Sequence, residues 1–275
     1  MTDAATPDAA TSAAATLELP TWLSDLGDLF DQVEQAAGVP LQALWVSDLE
    51  DQSVLLPASD ADPVHRILYK DNTHEATPYL VAMEAVQLLR VLQAPGEQQL
   101  AMQPRREARE RLVSEAERRN KDLSLAQQRR VGLNLYTTTL SQLRTVPPAM
   151  AVDRWLSEQM PRLRSRQDAF LRQQCQDLAE GLALGMDRRM PPLVLQANRA
   201  MDAAYAIHAA TLSGLPELSL PYRGSAWEEL GTELLQLAQA STSDAAEATE
   251  ESDPDRQVID AWAERLGIAR WYQWS

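Results

Sequence analysis

The sequence contains a single cysteine, Cys175, so it can form neither an intrachain disulfide nor a cysteine-ligated metal cluster. Only ten glycines are present, and none belongs to a phosphate-binding loop or a G-x-S-x-G nucleophile elbow. Histidine occurs three times, at His65, His74 and His208, which confines imidazole chemistry to those positions. Aromatic residues make up 5% of the chain, so aliphatic side chains and alanine must fill most of the core, a composition that favours helices. No apolar run approaches the roughly 18 residues of a membrane span. The stretch "MTDAATPDAATSAAATLELP" lacks the basic start and apolar centre of a secretory signal. A cytoplasmic chain without membrane contact is expected.

Positive charge is also scarce. Lysine and arginine total 25 against 40 acidic residues, a net charge of −15. Such a field opposes nucleic-acid backbones and anionic membranes, leaving an unidentified protein as the expected partner. Lysine occurs only at Lys70 and Lys121, so nearly every cation is an arginine. The densest run, 105–130, carries Arg105, Arg106, Arg109, Arg111, Arg118, Arg119, Arg129 and Arg130. Glu107, Glu110, Glu115 and Glu117 are interleaved with them, the pattern of a solvated helix laced with ion pairs. The less compensated "QQRRVGLNLYTTTL" is the place to look for an anion site.

At 275 residues, 45% apolar and 24% charged, the chain can form one large domain or two small ones. Residues 1–18 have no hydrophobic period and read as a disordered tail. An α+β part over 19–100 opens with Trp22, Leu23, Leu26, Leu29, Phe30 and Val33 at helical spacing, Thr21 as N-cap and Gly38 as stop. Two extended segments follow at 41–48 and 64–71, with a third at Val54 to Leu56, and then a helix from Pro78 to Ala94. Residues 101–240 read as a helical region whose helices end at Pro147–Pro148, at Pro161 and at Gly214. A capping box pairs Ser225 with Glu228. An acidic linker is expected over 241–255, and a C-terminal helix with an aromatic tail over 256–275.

Within "YLVAMEAVQLLR" (79–90), Met83, Glu84 and Gln87 have the His-Glu-x-x-His spacing of a zinc-protease helix. The order of helix, strands and helix, with Ala82 before the motif and Leu88–Leu89 after it, resembles the compact ImmA/IrrE-type zinc peptidases over roughly residues 20–95. That resemblance implies a zincin-like fold, zinc as cofactor, Glu84 as catalytic base, and a regulatory or stress-response role acting on repressor proteins. This chain departs from it at both ligand positions. A thioether and a neutral amide are poor zinc ligands, so Met83 and Gln87 remove the metal-holding pair and only Glu84 survives. The same helix also reads as ordinary amphipathic structure, with Glu84, Gln87 and Arg90 forming a polar stripe.

A rebuilt metal site would need His65, His74 and His208 to converge, and the "HEATP" that starts at His74 has Pro78 where a second ligand belongs. Cys175, mid-helix among polar neighbours, reads as a packing thiol. Two aromatic stretches read as interaction surfaces: Tyr222, Arg223 and Trp227, and the tail's Trp271, Tyr272 and Trp274, docked on this chain or on a partner. The expectation is an α+β, predominantly α-helical protein, a zincin-like helix–strand–helix part followed by a helical bundle. It would be a pseudo-metallopeptidase without a cofactor, acting through protein contacts. The alternative is a zinc-dependent hydrolase built around Glu84 and the histidines.

Overall fold

Short runs of alternating burial separated by acidic turns build a small sheet in the first third of the chain, with helices on one side of it. The computed structural model describes residues 20–71, 74–94, 101–183, 186–244 and 253–275, so the tail expected over 1–18 lies outside it. A 3-10 turn, Thr21–Leu26, runs into helix α1, Gly27–Ala37, which buries Leu29 and Val33 and stops at Gly38 with φ 70°. That left-handed backbone suits glycine. Thr21 lies inside the turn and caps nothing; Pro20 occupies the cap position.

Strands β1, Leu41–Trp45, β2, Ser53–Leu56, and β3, His65–Tyr69, follow. Their order is β1-β3-β2, with β1 parallel and β2 antiparallel to the central β3. Ile67 and Tyr69 of β3 face the core, where Trp22 meets Tyr69 edge-on at 5.4 Å. Helix α2, Thr77–Gln93, lies between this sheet and the rest of the molecule and buries Tyr79, Val81, Ala82, Ala85, Val86, Leu88 and Leu89.

Strand β4, Met102–Pro104, then leads into α3, Arg106–Arg119, on which Arg106–Glu110 and Arg119–Glu115 form the expected ion pairs. Helix α4, Leu125–Gln159, begins with a capping box of Ser124 and Gln127. It does not stop at Pro147–Pro148 as its sequence suggests; both prolines lie inside its 35 residues. Each proline removes one N–H from the helical ladder. Burial of Leu140, Leu143, Met150, Val152 and Leu156 along the helix outweighs the lost bonds.

Helices α5, Arg164–Ala183, and α6, Pro192–Ser213, complete the centre. Apolar around most of its girth, α6 is packed by α4, α5, α7 and α8. Helix α7, Ala226–Asp244, starts where Ser225 Oγ accepts the Glu228 N–H. The Glu228 carboxylate reaches back to the Gly224 N–H, one residue before the position the capping box predicts. α7 also runs four residues into the expected acidic linker, whose 245–252 lies outside the described residues. Helix α8, Pro254–Leu266, begins at the Asp253 cap.

The C-terminal strand β5, Tyr272–Trp274, pairs antiparallel with β4, so the aromatic tail docks on its own chain. Tyr136 stacks on Trp271 at 5.6 Å and donates its hydroxyl to the Trp271 carbonyl. Asp260 accepts from both Tyr272 and Trp274. Tyr222, Trp271 and Tyr272 are buried within the chain and present no free surface, Trp227 and Trp274 are half-buried, and Arg223 is exposed. Among the described residues one continuous core joins α1, α2 and the sheet to the later helices. The fold is α+β and predominantly helical, and no helix of the described residues is long and apolar enough to cross a membrane.

The α6–α7 crossing is tight. A Cβ added at Gly231 would lie 2.8 Å from Ala203 Cβ and 2.8 Å from the Ala204 backbone nitrogen, whereas one at Gly27 meets nothing within 4 Å. Gly231→Ala is expected to lower unfolding free energy by about 1–2 kcal/mol in urea titrations, net of its gain in helix propensity. Gly27→Ala should leave it unchanged or raise it by less than about 1 kcal/mol.

Candidate functional site

Helix α2 carries the protease-like spacing, and its two sides do different things. Toward the sheet, Glu84 accepts a 2.8 Å hydrogen bond from Ser53 Oγ of β2. Burial pushes the Glu84 carboxyl above its ordinary value, the nearby Asp51 charge adds to this, and the Ser53 bond partly offsets it. Met83 is half-buried against the core and Gln87 is half-buried.

The three histidines have separate local tasks. His65, buried on β3, uses Nδ1 to accept the Ala58 N–H at 2.9 Å, closing the loop from β2; burial lowers its pKa and favours neutral imidazole. His74 is exposed, and its Nδ1 accepts the Ala76 N–H at 3.2 Å just ahead of α2. His208 is buried on α6 in the bundle. Among the described residues no three His, Cys, Asp or Glu side chains form a group that could hold a metal ion.

On its other side α2 sends Tyr79 into a buried polar cluster. The Tyr79 hydroxyl donates to Asp153 Oδ1 of α4 and accepts from Gln167 Nε2 of α5 at 3.0 Å. Gln167 also donates to the Asp153 carbonyl at 2.7 Å. From α6, His208 Nε2 stands 3.7 Å from Asp153 Oδ2. Tyr205, also on α6, has its phenol raised well above the ordinary value by burial and next by the Asp153 charge. Burial and the same carboxylate push the Cys175 thiol up to about 12, which makes it an inert packing group. Asp153 has no solvent exposure, so the cluster acts on the fold and offers no surface to a substrate.

A second polar group lies in a groove of about 520 Å³ between α4 and α6. Gln142 Nε2 donates to Asp202 Oδ1 at 2.5 Å, and Arg199 Nη1 stands 3.7 Å from Asp202 Oδ2. Thr138, from the stretch read as an anion site, lines this groove together with Ser141 and Thr145. Arg129 of that stretch instead approaches Glu117 at 3.9 Å.

The sequence reading missed Asp153, Gln167, Arg199 and Asp202. Asp153 had a signal, because it lies three residues from both Met150 and Leu156 on an apolar face. Arg199 and Asp202, three apart in an alanine-rich helix, had one as well. Gln167 had none. Comparison with protein-family models, with curated proteins and with solved structures gives no match for this chain.

Burial raises the Asp202 carboxyl to about 6, against the opposing pull of Arg199 and Gln142. The fold thus favours the protonated acid over an unfolded chain with a pKa near 3.9. This contribution is complete below about pH 4 and is lost as the pH rises through about 6. Relative to Asp202→Asn, the wild type should therefore lose on the order of 2–3 kcal/mol of stability across that window, with a flat difference above about pH 7. Urea unfolding at stepped pH measures it, and a pH-independent difference would contradict this assignment.

Proposed function

We propose that this chain acts through protein contacts in a regulatory or structural role, with a zincin-like arrangement kept as scaffold and not as catalyst. The observation that carries this reading is the Glu84–Ser53 hydrogen bond, which ties the one motif residue suited to catalysis against the sheet. The division of labour along α2 supports it too, since Tyr79 and Glu84 on one helix tie the bundle and the sheet together. A regulatory role comes from the ImmA/IrrE resemblance alone. A metal-dependent hydrolase using Glu84 is the alternative, and the raised Glu84 carboxyl is what favours it.

One experiment separates the two. The protein is purified without chelator, and zinc, manganese and iron per chain are quantified for the wild type, Glu84→Gln and His74→Ala. The contact-protein reading expects metal well below stoichiometric in all three. It also expects a Tm for Glu84→Gln equal to or above the wild type at neutral pH, because the amide removes a buried charge while Ser53 keeps an acceptor. Stoichiometric metal that falls in either variant would revive the hydrolase.

A further inference from the structure

The three-stranded sheet is backed by α1 and α2 on one face. On the other face the register sets Leu44, Leu68 and Val54 in one row across the strands and Gln42, Arg66 and Leu56 in the next. Leu44 is 39% exposed and Leu56 43%. Among the described residues, neither Val54 nor Leu68 belongs to the core or packs against it. Among the described residues this face is open; antiparallel pairs such as β2–β3 often face water on one side, but β1 and β3 form a parallel pair, and all-parallel sheets have both faces covered.

The ends of this apolar face are acidic. The loop from β1 to β2 carries Asp48, Glu50 and Asp51, and the loop from β2 to β3 carries Asp60 and Asp62, all exposed. Of these, only Asp62 forms an ion pair among the described residues, with Arg66. Strands of four or five residues set the two loops about 15 Å apart, the length of roughly ten residues of helix. A net charge of −15 disfavours a second copy of this chain as the cover.

We propose that the open sheet face docks a cationic amphipathic helix of a partner protein, its apolar side on Leu44, Leu56 and Leu68 and its basic ends against the carboxylates of the two loops. The charge pattern selects such a partner, and a helix is the element that ordinarily covers a parallel pair. This rests on the contact-protein reading but uses a different surface from Glu84. Peptide binding and metal content are thus independent readouts, and either can fail alone.

The test titrates the full chain, by fluorescence anisotropy at physiological ionic strength, into a labelled three-turn peptide with leucines along one face and lysines at both ends. A scramble of equal composition controls for charge alone. The amphipathic peptide is expected to bind roughly tenfold tighter than its scramble, or more. Leu44→Asp/Leu56→Asp should abolish that preference, and Asp48→Lys/Asp51→Lys should weaken both peptides. Circular dichroism checks the fold, and Leu44→Ser, which should reduce the preference, replaces the double variant should that variant unfold. Equal binding of the two peptides, or a preference that survives the leucine substitutions, would overturn the proposal. So would a photo-crosslinker at Leu44→Cys that captures residues 1–19 or a second copy in place of the peptide.

Discussion

The arrangement depends on one buried carboxylate. Asp153 has no exposed surface; its carboxylate accepts from Tyr79 of α2 and stands 3.7 Å from His208 of α6, while Gln167 of α5 donates to its backbone carbonyl. Burying a carboxylate costs several kcal/mol unless its oxygens find partners, so α2, whose Tyr79 hydroxyl serves Oδ1, and α6, whose His208 faces Oδ2, are held in register about it. An apolar residue there would bury more easily but would let the helices slide. Tyr79 connects this point to the motif helix, and through Glu84 and Ser53 the same helix reaches the sheet.

Around that point the packing is close and built from small residues. Five alanines of α6 lie within its buried surface between Ala197 and Ala206, and Gly231 of α7 comes within a Cβ's breadth of Ala203. The C-terminus closes the other side. Trp262 is fully buried and donates to the Leu234 carbonyl at 2.7 Å, while Arg90 at the end of α2 pairs with Asp255 at the start of α8. Segments far apart in sequence thereby share one core.

Much of the fold was legible in the sequence because it rests on local rules. Trp22 to Val33 announced a helix by spacing, Gly38 and Gly214 marked stops, and the extended segments expected at 41–48 and 64–71 contain the strands Leu41–Trp45 and His65–Tyr69. What was not legible depends on contacts distant in sequence. Pro147 and Pro148 argue locally for a helix end, and only burial along α4 overrules them. β4 exists because β5 pairs with it from the far end of the chain, and nothing within "MQP" foretells that. The same limit applied to the site: Met83, Glu84 and Gln87 were visible as a motif, but the Ser53 bond that occupies Glu84 required the fold.

The most direct test of a central carboxylate is native-state hydrogen exchange on Tyr79→Phe, which removes a single hydroxyl and leaves Asp153 short of a donor. If the four helices meet at Asp153, protection in α2, α4, α5 and α6 should fall together by about 1.5–3 kcal/mol. Loss confined to amides of α2, with α4, α5 and α6 unchanged, would contradict that account.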